Sequence, residues 1–98
     1  MLSKTITPIL NKFLRCPHVD VANGYLNEFK EFRNPQCQPS KTDSNDHLAW
    51  MLSEIVENKM SRPKANRWLG YVQSKMEDKG LIKVVDERNR TRPIFNGL

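Results

Sequence analysis

Two cysteines, Cys16 and Cys37, are too few for a disulfide framework in a chain of 98 residues. With no export signal in view, both are expected as reduced thiols in a cytosol. No apolar run reaches the roughly 18 residues of a membrane span, so no membrane partner is expected. The opening MLSKTITPILNKFLRC lacks a continuous apolar stretch and a small-residue cleavage site, which argues against a secretory signal. Like a transit peptide it has no acid before Asp20, but a first structural helix accounts for it better.

Catalytic signatures are missing as well. There is no G-x-S-x-G, no Walker loop and no dinucleotide fingerprint. His18 and His47 stand in no catalytic spacing. The acids come as neighbours, Glu77-Asp78 and Asp86-Glu87, which point about 100° apart on a helix and so do not form a matched acid and base. An enzyme is not expected, and neither is a cofactor. Cys16, His18, Cys37 and His47 together have the ligand chemistry of a zinc site. Their spacing, C-x-H then C-x9-H, lacks the tight pairs of zinc modules, so no metal is expected.

What is present reads as one domain over residues 1–98. Apolar residues make up 38% and charged residues 28%, too apolar for a chain disordered throughout. Thr7 and Pro8 form a helix start, followed by Ile9, Leu10, Phe13 and Leu14 at helical spacing. A second helix is expected with Asp20 as cap and Ala22, Tyr25, Leu26, Phe29 and Phe32 as its stripe. RNPQCQPSKTDSND has two prolines and no aliphatic side chain, so a flexible loop is expected at about 33–46. Ser44 or Asn45 caps a third helix whose stripe is Leu48, Met51, Leu52, Ile55 and Val56. Ser61 caps a fourth, with Pro63 in its first turn, Ala65, Trp68, Leu69, Val72 and Met76 as its inner face, and Gly80 as its stop. Beyond Gly80, two short apolar runs flank a charged turn. They pair as a short β-hairpin, or Val85–Arg90 extends as a helical turn; the β-branched residues favour the strand. The expected class is mainly α, about four helices in a small domain, closed by that hairpin.

Charge is unevenly spread. Residues 1–42 carry six Lys/Arg and three Asp/Glu, residues 43–60 one and four, and residues 61–98 nine and four, so +3, −3 and +5. A basic C-terminal part favours an anionic partner. On a helical wheel Lys64, Arg67, Tyr71 and Lys75 share one strip, and Arg62 stands at the head of the same helix. Arg88, Arg90 and Arg92 alternate, so a strand would project all three from one side. Such arrays suit phosphate contacts, which release condensed counterions. A third helix, a turn, a basic fourth helix and a hairpin resemble the layout of a winged helix-turn-helix, with Arg62, Lys64 and Arg67 as readers. Trp50 points away from its helix's apolar stripe; a cover from the first helix or the 33–47 loop is expected, and if uncovered it is the candidate anchor of a protein interface.

The runs HLAWM (47–51), RWLGYVQ (67–73) and RTRPIF (90–95) resemble a pattern of small bacteriophage and prophage proteins. The resemblance covers residues 47–95 and implies an accessory protein in the cytoplasm of a bacterial host cell, acting by binding. Nucleic acid is the expected partner. The alternative is a host protein complex that the chain inhibits or adapts through Trp50.

Overall fold

In the computed structural model, described over residues 16–96, four α-helices and one short 3-10 turn surround a single core. The expected first helix, from Thr7 to Cys16, lies outside the described residues. Helix α1 spans Pro17–Glu28 and begins before Asp20, because Pro17 sits at the first helical position, where its missing N–H leaves no hydrogen bond unmade. Cys16 is its N-cap, and Asp20 falls in the first turn. The helix stops one residue before Phe29, which is extended, and the chain turns through a 3-10 element, Lys30–Phe32, that drops Phe32 into the core. Of the stripe read from the sequence, Ala22, Tyr25 and Phe32 are buried and Leu26 and Phe29 only partly so, while His18 and Val21, outside that stripe, are buried as well.

Helix α2, Asn45–Glu57, is central. Ser44 caps it by accepting the His47 N–H at 3.2 Å, and Asn58 ends it in the left-handed conformation at φ 58°. Leu48, Ala49, Leu52 and Ile55 have no exposed surface, since α1, the 3-10 turn and α3 all pack on this helix. The Asn58 side chain reaches back to α1: its Oδ1 accepts from His18 Nε2 at 3.3 Å and its Nδ2 donates to Cys16 Sγ at 3.4 Å. Helix α3, Arg62–Asp78, starts at Ser61, whose Oγ accepts the Lys64 N–H. It ends in a Schellman motif: Gly80 N–H bonds Glu77 O, Leu81 N–H bonds Met76 O, and Gly80 takes φ 77°. Ala65, Leu69, Val72 and Met76 are its buried face, and Trp68 is only half-buried.

The hairpin is not formed. Residues Val84–Asn96 make a fourth helix, α4, and there is no strand among the described residues, so the winged layout does not apply. Three local interactions outweigh the strand preference of Ile82, Val84 and Val85. Glu77 accepts the Val84 N–H from the end of α3, capping α4 from seven residues upstream. Asp86 and Glu87 place negative charge in the first turn, where the helix dipole favours it. Thr91 Oγ1 bonds the Glu87 carbonyl and is buried. On a helix, alternating residues lie about 200° apart, so Arg90 projects away from Arg88 and Arg92.

The 33–46 segment runs over one end of α2 and is tied to it. Gln36 N–H bonds Asp46 O at 3.0 Å, Gln38 N–H bonds His47 Nδ1 at 2.9 Å, and Ser44 Oγ bonds Gln38 Oε1 at 2.8 Å. Among the described residues, no helix is long and apolar enough to cross a membrane. Gly24 is exposed in α1, and a Cβ there would meet nothing within 4 Å. Gly24→Ala should therefore raise stability by about 0.5–1 kcal/mol, read as a higher urea midpoint at unchanged slope.

Candidate functional site

The eight cationic and aromatic residues expected at a nucleic-acid surface fall into two groups on opposite flanks of α3. The first group is continuous. Lys64 lies over the Trp68 ring at 5.3 Å and Lys75 over the Tyr71 ring at 5.5 Å, so each cation rests on an aromatic face one helical turn away. Arg67 lies on the same strip and lines a shallow groove with Thr42, His47, Met51, Trp68 and Tyr71. Arg62 is exposed at the start of α3. Lys75 is 4.0 Å from Asp78, a contact too open to neutralise it.

Trp50 joins this group. Its ring is 5.7 Å from Trp68 and 5.3 Å from His47, and it is half-buried. These ring contacts come from α3 and from its own helix. The polar edge of the groove is also defined. His47 Nδ1 accepts a backbone N–H, so in the neutral ring the proton sits on Nε2, making that atom a donor. Thr42 and Tyr71 share a hydroxyl hydrogen bond at 2.9 Å.

The second group divides again. Arg90 is held by Glu87, with Nη2 at 2.8 Å from Oε1 and Nε at 3.2 Å from Oε2. The same carboxylate accepts from the buried Tyr25 hydroxyl at 2.7 Å, and Gln73 Nε2 donates to that hydroxyl at 3.0 Å. This chain joins α3, α1 and α4. The Arg90 guanidinium holds the Glu87 carboxyl below its ordinary range, against the opposing effect of burial, with the Tyr25 hydroxyl adding to the lowering. Burial raises the Tyr25 phenol well above its ordinary range. Hydrogen bonding to Glu87 raises Arg90 in turn. Nothing in the sequence pattern points to this network, because its members are 48 and 62 residues apart.

Arg88 and Arg92 face the other way, into a groove between α3 and α4 lined by Asn66, Gly70, Gln73 and Phe95. Two of the three runs named for the sequence resemblance meet here: Gly70 and Gln73 come from one, Arg92 and Phe95 from another. A glycine in mid-helix and an exposed phenylalanine near a helix end were the available signals.

Cys16, His18, Cys37 and His47 do not assemble. His47 and His18 each commit a ring nitrogen, to Gln38 and Asn58, and no three His, Cys, Asp or Glu among the described residues come close enough to hold a metal. No family model, curated protein or solved structure matches the chain.

Proposed function

We propose that the protein is a phage-type accessory protein that acts without turnover, binding nucleic acid through the cationic, aromatic face of α3. The observation that carries this reading is the strip itself. Lys64, Arg67 and Lys75 stand along one side of one helix with Trp68 and Tyr71 between them. Cations along a rigid rod can neutralise successive phosphates, while ring faces offer sequence-tolerant stacking. The absence of a wing among the described residues moves the contact from a groove-reading pair of elements to this single surface.

Fluorescence anisotropy with 5′-hydroxyl duplex and single-stranded oligonucleotides, over a salt series, tests it. Binding should weaken log-linearly with salt, and the triple change Lys64→Ala, Arg67→Ala, Lys75→Ala should reduce the slope by about 3. Anisotropy that stays flat down to low salt would sink the reading. A second reading, a host protein as partner, is favoured by the half-buried Trp50–Trp68 pair at the same face. In that case Trp50→Ala should abolish a protein complex that the triple charge change leaves intact.

A further inference from the structure

The groove between α3 and α4 is separate from the strip and has its own chemistry. Arg88 and Arg92 are one turn apart on α4, both exposed, and among the described residues no hydrogen bond or ion pair engages either of them. Like charges at this spacing repel. Among the described residues no acid lines the groove to offset them; the nearest carboxylate in sequence, Glu87, is occupied by Arg90 and Tyr25. Two guanidiniums at i and i+4 have Cβ atoms about 6 Å apart, which suits clasping the oxygens of one phosphate.

The remaining lining is not that of a bare phosphate site. Phe95 is 41% exposed, one of only two large apolar side chains so exposed among the described residues. Gly70 leaves the α3 backbone bare opposite it, and a Cβ there would meet nothing within 4 Å, so packing does not require the glycine. Gln73 commits its Nε2 to the Tyr25 hydroxyl, which leaves Oε1 as an acceptor. Asn66 adds a second amide.

A cation pair, a ring face, an open backbone floor and fixed amide polarity together describe a ligand with a dianion at one end and a flat polar ring at the other. We propose that this groove binds a nucleoside phosphomonoester, with its phosphate between Arg88 and Arg92 and its base on Phe95 above Gly70. Gln73 Oε1 accepts from the exocyclic amine of the base. The same chemistry has two sources, a free mononucleotide or the 5′-phosphorylated end of a strand.

The test is amide chemical-shift titration of the full-length, nitrogen-15-labelled protein with AMP, adenosine, inorganic phosphate, and a trinucleotide with or without a 5′-phosphate. AMP or the phosphorylated trinucleotide should move Gly70, Gln73, Arg88 and Arg92. Adenosine, inorganic phosphate and the 5′-hydroxyl trinucleotide should bind this groove at least about tenfold more weakly. Arg88→Ala and Arg92→Ala should each raise Kd by about tenfold or more, and Gly70→Leu, whose Cβ meets nothing within 4 Å and whose side chain occupies the floor, should abolish binding. Both arginines are exposed, so amide dispersion in the variants should stay that of the folded protein. A phosphorylated trinucleotide that binds more tightly than AMP identifies the strand end as the source, and equal affinity identifies the free nucleotide. The proposal is overturned if neither phosphomonoester moves these four residues, if inorganic phosphate binds as tightly as AMP, or if Arg88→Ala and Arg92→Ala leave Kd unchanged. Because the strip on α3 is tested with 5′-hydroxyl oligonucleotides, failure of either proposal leaves the other standing.

Discussion

Phe32→Ala is expected to lower the unfolding free energy by about 3–5 kcal/mol, a large share of the roughly 5–15 kcal/mol available to a domain of this size. Phe32 is 1% exposed and is delivered to the core by a three-residue 3-10 turn rather than by a helix. Its ring meets Phe29 edge-on at 6.1 Å, and Phe29 in turn meets Tyr25 at 6.0 Å. The 3-10 turn packs directly on α2, so the ring links the end of α1 to the central helix. Truncation removes the transfer free energy of the ring and leaves a cavity that rigid helices on both sides cannot close. Phe95→Ala is the control, since its ring is already in water for much of its surface. It should shift stability by less than about 0.5 kcal/mol. Urea unfolding followed by circular dichroism measures both, and a Phe32 variant as stable as the Phe95 variant would contradict the packing described.

The next largest effect is expected at Glu87. Its side chain is 14% exposed and accepts from both Tyr25 and Arg90. Glu87→Ala removes the acceptor for a buried hydroxyl and unpairs the guanidinium, with an expected cost of about 2–3 kcal/mol. Tyr25→Phe, which leaves the Glu87–Arg90 pair in place, should cost about 1–2 kcal/mol. The pH dependence follows from the direction of each shift. Glu87 is held below its ordinary value of 4.5, so its contribution is complete above that value and is lost as the pH falls through and below it. Tyr25 is raised above its ordinary value of 10.0, so the stability linked to its protonated form is intact below pH 10 and declines above it. Melting temperature against pH should therefore fall at both ends. Glu87→Ala should flatten the acid limb, and Tyr25→Phe the alkaline one.

Much of this architecture was legible along the chain. Ser44 and Ser61 as caps, Pro63 in a first turn and Gly80 as a left-handed stop are local devices, and each works through backbone groups within a few residues. The buried stripes of α2 and α3 follow from helical spacing for the same reason. The C-terminal segment was not legible. Val84 and Val85 argue locally for a strand, while Glu77 of α3, which accepts the Val84 N–H, and Tyr25 of α1, which bonds Glu87, add to the acids and Thr91 within α4 on the side of the helix. Trp50 and Trp68 show the same limit. The wheel put one outside and the other inside, and their mutual contact makes both half-buried.

The candidate surfaces divide along the same line. That Lys64, Arg67, Tyr71 and Lys75 share a strip is a property of one helix, so the sequence by itself determined it. That Arg88 and Arg92 form a groove with Gly70, Gln73 and Phe95, while Glu87 meets Tyr25, was decided only by how α4 packs on α1 and α3. Spacing within an element is set by backbone geometry; the pairing of residues on different elements is set by which faces the whole core can bury together.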